Sequence, residues 1–93
     1  MYFITTVSEK NGFRCVGYYK SSSEAIKTVE NNTFDLNEAG YYPYAVIENI
    51  PEGLYHYDEN PIWFEWNKIT ERYKRINFPP KFIEKGFVGF SIG

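Results

Sequence analysis

An α+β fold, with an antiparallel β-sheet of roughly five to seven strands and one short amphipathic helix packed on one face, follows from three features of the sequence. Apolar positions mostly alternate with polar ones at the strand period of two, and only one segment carries helical spacing. Aromatic residues, which favour strands, make up 20% of the chain. At 93 residues the chain reads as a single domain, 1–93, able to bury a self-sufficient core.

Asn11-Gly12 lies between the alternating runs YFITTVSE and FRCVGYYK. The dipeptide favours a two-residue type I′ turn, because both positions tolerate positive φ. Such a turn pairs Lys10 with Phe13, Val7 with Val16 and Thr5 with Tyr18, placing Phe3, Glu9 and Arg14 on that face and Ile4, Ser8, Cys15 and Tyr19 on the other. The helix after this second strand is SSSEAIKTVENN. Ser21 and Glu24 have capping-box spacing, Ala25, Ile26 and Val29 form a narrow apolar stripe, and Asn31-Asn32 suits a left-handed stop. About three turns are expected, with too little apolar surface to stand away from a sheet.

YYPYAVIENI reads as a strand that Pro43 confines to an edge, or to its own first residues. Pro51-Glu52-Gly53 is a turn, LYHY a short extended piece, and DENP a second turn. In IWFEW, Ile62, Phe64 and Trp66 alternate with Trp63 and Glu65, and ITERYKRI returns as the hairpin partner across Asn67-Lys68. Pro79-Pro80 ends that strand, KFIEKG is a turn or one helical turn, and FVGFSI is a last strand with Val88, Phe90 and Ile92 on one face.

The bulk chemistry excludes several classes. A formal net charge of −2 argues against general nucleic-acid binding, which depends on a strong positive balance. No apolar run approaches the ~20 residues of a membrane span, and MYFITTVSEK reads as a strand and not as a signal peptide. The single Cys15 excludes an internal disulfide, so a reducing, cytoplasmic compartment is expected. Charge is nevertheless segregated. Residues 48–66 carry Glu48, Glu52, Asp58, Glu59 and Glu65 with no Lys or Arg, whereas residues 67–81 carry Lys68, Arg72, Lys74, Arg75 and Lys81 against Glu71 alone. A local anion site is compatible with that pattern.

The catalytic candidates are thin. Arg14 precedes Cys15, but strand neighbours point to opposite faces, and a buried free thiol is the ordinary reading. His56 and Asp58 share one side of an extended segment, yet the only His of the chain lacks the further His or Cys ligands of a zinc site and reads as a turn residue. Gly86, Gly89 and Gly93 lack the Lys and Ser or Thr of a phosphate loop. No enzyme, metal or cofactor is expected.

The aromatic and basic residues carry more. If Ile62, Phe64 and Trp66 face the helix-covered core, Trp63 faces away with Glu65, and at least one of Tyr41, Tyr42 and Tyr44 shares that uncovered face. A patch of exposed rings needs a partner. Arg72 and Lys74 point to one side of the following strand, Tyr73 and Arg75 to the other. Rings beside guanidinium groups can stack a base and hold its phosphates, and they equally anchor protein interfaces.

The strings MYFITTV, RCVGYY, YAVIENIPEGLY, WFEWN and VGFSIG together resemble a family of small proteins, without an assigned function, of gut Firmicutes and their phages or prophages. The resemblance implies a one-domain architecture and a mobile-element setting in a bacterial host cell; it supplies no site residues. With the aromatic and basic cluster, it leads to the expectation of a non-enzymatic phage counter-defence protein that sequesters a small anionic, nucleotide-derived immune signal. Trp63, Tyr73, Arg72, Arg75, Lys74, Tyr42 and Tyr44 would line its site, completed between the subunits of a homo-oligomer. The alternative is an inhibitor or adaptor that docks its aromatic sheet face on a host protein.

Overall fold

The computed structural model describes residues 1–38, 40–53 and 60–81. The expected pieces LYHY and FVGFSI, with His56, Asp58 and the glycines at 86, 89 and 93, lie outside the described residues. Along the chain run β1 (Tyr2–Ser8), β2 (Gly12–Tyr19), α1 (Ser22–Glu30), β3 (Tyr44–Asn49), β4 (Ile62–Asn67) and β5 (Arg72–Ile76). The strands form one antiparallel sheet of five in the order β2-β1-β3-β4-β5, and the helix follows the second strand, as the α+β reading requires.

The first hairpin departs from the expected type I′ turn. Ser8 pairs with Gly12, and of the Asn-Gly pair only Gly12 takes a positive φ, +79°. The cause is Ser8, whose Oγ accepts the N–H groups of Lys10 (3.2 Å) and Asn11 (3.1 Å) and so builds a longer loop. The register therefore slips by an odd number of residues: Phe13 and Cys15 join Val7 and Thr5 on one face, while Arg14 and Val16 cross to the other. A bulge then intervenes. Val16 is passed over, Ile4 meets Gly17 and Phe3 meets Tyr18, which returns Tyr18 and Tyr19 to the faces expected for them.

Helix α1 begins at Ser21, which has the extended backbone of an N-cap (φ −106°, ψ 130°). The capping box does not form; the Ser21 hydroxyl lies 2.8 Å from Ser23 Oγ instead. At the other end Asn32 takes φ +49°, its N–H bonds to Val29 O and the Thr33 N–H to Thr28 O, both at 3.1 Å, a Schellman stop. Asn32 Oδ1 next accepts the Leu36 N–H at 2.6 Å, and this bend brings Leu36 back into the core.

The core beneath the helix joins Ala25, Val29 and Leu36 to Ile4, Ala45, Ile47, Phe64 and Tyr73, with Ile62 and Trp66 half-buried at its margin. The expected inward set Ile62, Phe64 and Trp66 is thus the observed one. Pro43 does not force β3 to an edge. It precedes the strand, and its carbonyl accepts the Trp66 N–H at 2.8 Å, so the residue without a donor contributes its acceptor and β3 lies between β1 and β4.

The second hairpin is also longer than a turn at Asn67-Lys68. Asn67 pairs with Arg72, its Oδ1 accepts the N–H groups of Ile69 (2.9 Å) and Thr70 (3.2 Å), and Glu71 closes the loop at φ +56°. Ile69, expected in a strand, lies in this loop and is 94% exposed. Replacing Asn67 by Ala removes the acceptor of two backbone donors. Urea denaturation should show about 1 kcal/mol less stability, with an unchanged denaturant slope.

Candidate functional site

Cross-strand partners share a face, so the ladder assigns Trp63, Tyr73 and Tyr44 among the rings expected in the site. Trp63 pairs with Val46 and Ile76, on the face away from the helix, as its alternation with Phe64 predicts. Its exposure is only 3%, however, so the expectation of an exposed Trp63 is corrected. Val7, Val46 and Trp63 form a second core, against which Tyr44 and Ile76 pack. Alternation decides which face a side chain takes; it does not decide whether that face is covered.

Tyr73 lies on the opposite face from Trp63, 2% exposed in the helix-side core. Its ring meets Trp66 edge-on, with centroids 5.1 Å apart and planes at 71°, and its hydroxyl donates to the carbonyl of Tyr42 at 2.7 Å. Burial, and then the negative charges of Asp35 and Glu38, push the phenol well above its ordinary range. Tyr42 serves the fold through this carbonyl. Arg72 donates from Nη1 to Asn31 O at 3.0 Å, a cation bound to the C-cap of α1 where the helix dipole favours it. Arg75 is exposed opposite Phe64, and Lys74 is exposed opposite Glu65, on opposite faces of an edge strand. The seven residues expected to share one site are therefore divided between two faces, and two of the rings are core.

What the structure does assemble is a surface cleft of about 590 Å³ lined by Glu9, Tyr44, Glu65, Ile76, Pro79, Pro80 and Lys81. Tyr44, one of the expected residues, stands directly opposite Glu65, and Glu65 in turn opposite Lys74, a row of three across β3, β4 and β5. Burial, the Glu65 charge, a hydrogen bond to that carboxylate and the charge of Glu9 raise the Tyr44 pKa, so its hydroxyl stays protonated and donates to Glu65. Among the described residues that line the cleft, two carboxylates stand against one ammonium, a negative balance. Glu9, Glu65 and Lys81 were not among the expected site residues. The sequence held a signal for Glu65, which alternation places beside Trp63, but its meeting with Tyr44 required the register of β3 on β4.

Among the described residues no group of three or more His, Cys, Asp and Glu is placed to hold a metal, and no helix is long and apolar enough to cross a membrane. Cys15 is half-buried, and desolvation raises its pKa, so the thiol has none of the character of an activated nucleophile. Compared with known proteins, the chain matches no family model, no curated protein and no solved structure.

Two substitutions test these placements. Trp63→Ala should lower stability by about 3–5 kcal/mol in chemical denaturation, the cost of emptying a packed site. Tyr73→Phe acts through pH as well. In the unfolded chain this phenol ionises near 10.0 and in the folded chain at higher pH, so the folded state holds the proton longer. The stability it contributes is complete below the unfolded value and is lost as pH rises through the folded one. The unfolding free energy measured above pH 10 should therefore fall less steeply with pH for Tyr73→Phe than for the parent.

Proposed function

We propose that the protein is a non-enzymatic binding module that docks a protein partner over the Tyr44–Glu65 cleft, with a lysine or arginine of that partner entering beside Glu9 and Glu65. The observation that carries this reading is the company Tyr44 keeps: an aromatic face, two carboxylates and the proline pair line one open cleft. A guanidinium or ammonium group placed there gains charge-assisted hydrogen bonds from the carboxylates and a cation–π contact from the ring. Its aliphatic stem can lie along Ile76, Pro79 and Pro80. This is the inhibitor or adaptor reading, moved from a flat aromatic sheet face to a defined cleft.

A sponge for a small anionic signal draws less support from the geometry. Trp63 and Tyr73 lie in separate cores, Arg72 is engaged at the helix end, and the cleft carries the sign of charge that repels phosphate. A nucleotide would be left with Lys74 and Arg75, on opposite faces of β5, and with whatever a second subunit adds. The phage setting implied by the resemblance fits either role.

Calorimetric titration separates the two. A short arginine-rich peptide should bind, more weakly as salt is raised, and Glu65→Gln should weaken it about tenfold or more, whereas a matched glutamate-rich peptide should not bind. A rise in melting temperature with cyclic dinucleotides or cyclic ADP-ribose-type compounds at about 1 mM would favour the sponge and overturn this reading.

A further inference from the structure

Among the described residues, the two edges of the sheet, β2 and β5, are unlike. β5 is short, and Arg72, Lys74 and Arg75 are exposed along it, a distribution that discourages strand pairing. β2 runs for eight residues with a single charged side chain, Arg14, which is already engaged in an ion pair with Glu38. Among the described residues no strand pairs with the outer side of β2.

The bulge gives this edge its pattern. Phe13 pairs with Val7 and Tyr18 with Phe3, so both rings stand on the helix-free face, near opposite ends of β2, and they are 39% and 61% exposed. Tyr18 is held upright against Phe3, with ring centroids 5.4 Å apart. Without the extra residue, the two rings would fall on opposite faces. On the helix side, the same edge borders an apolar groove of about 330 Å³ lined by Ile4, Val16, Gly17, Tyr18, Tyr19 and Phe34, and Phe34 is 64% exposed.

We propose that the outer edge of β2 pairs antiparallel with β2 of a second copy of this chain, making a closed dimer with one continuous sheet. An antiparallel strand laid against its own copy exchanges its ends, so Phe13 of each copy meets Tyr18 of the other, and this apolar contact is made twice by one symmetry axis. The groove beside Val16 and Gly17 is closed over by the other copy. Charge selects this arrangement over a β5–β5 pairing. Joining β5 to β5 would bring two sets of Arg72, Lys74 and Arg75 together, whereas β2 carries between Gly12 and Tyr19 only the charge of Arg14, already paired with Glu38. The axis stands perpendicular to the sheet, so both helices lie on one side and both Tyr44–Glu65 clefts open on the other. The dimer does not depend on what those clefts bind.

Sedimentation equilibrium of the full chain from micromolar concentration upward tests the proposal. A monomer–dimer equilibrium is expected, and Phe13→Lys with Tyr18→Lys should weaken it at least tenfold while far-UV circular dichroism stays unchanged. If the double variant does not fold, Tyr18→Ala alone, which removes a largely exposed ring, should weaken dimerisation in the same direction. Copper-catalysed oxidation gives a second readout, because the proposed axis passes beside Cys15 and should yield a disulfide-linked dimer. A chain that stays monomeric at roughly 1 mM would overturn the proposal. So would a dimer indifferent to both sets of substitutions, which would be using another surface.

Discussion

Phe64 is fully buried opposite Ala45, in the cluster that holds Ala25 and Val29 of the helix, and the small side chains around it are what leave room for the ring. A one-residue slip of β4 would exchange Phe64 with Trp63 and offer each core a side chain of the wrong shape. Because both faces of β4 are occupied, its register is fixed twice. From it follow the edge-on contact of Trp66 with Tyr73, the hydroxyl of Tyr73 reaching Tyr42, and the row Tyr44, Glu65, Lys74. The cleft thus depends on a packing contact on the opposite side of the sheet.

Much of this architecture is legible in the sequence because it rests on short periodicities. The helix between Ser21 and Asn32, the inward set Ile62, Phe64 and Trp66, and the outward turn of Trp63 all come from counting by two or by three and four. Hairpin registers do not. At Asn11-Gly12 the dipeptide signal is real, but Ser8 offers the loop a better set of hydrogen bonds, and at Asn67 a side-chain amide does the same. One hydroxyl outside the turn motif therefore moved every pair in β2. The candidate site suffered from the same cause: which ring meets which charge is a matter of register, and coverage of the second face is a matter of tertiary structure. Trp63 stands on the face that alternation predicts, and that face is covered.

The charge pattern takes on a different meaning once it is folded. A run of cations in residues 67–81 reads as an anion site along the chain, yet Arg72 goes to the helix end, Lys74 stands opposite Glu65, Arg75 lies on the other face of β5, and Lys81 lines the same cleft as Glu9 and Glu65. Segregation along the sequence becomes partial neutralisation in space. The acidic balance of the cleft and the cationic border of β5 are two surfaces of opposite sign on one small domain, which orients any charged partner before contact is made.

The bulge in β2 can also be considered as a matter of chain length. On one side of it Thr5 meets Cys15, on the other Ile4 meets Gly17, and Val16 is the residue left over. A hairpin lacking that residue could keep every one of these pairs and close into a regular ladder, so the bulge is where the chain holds one residue more than its partner strand needs. Taken up in this way, the extra residue costs the sheet one local bend, whereas an extra residue that was not absorbed in a bulge would turn the strand beyond it inside out. The bulge thus takes up one residue within the strand itself, and it brings two aromatic rings onto the same side.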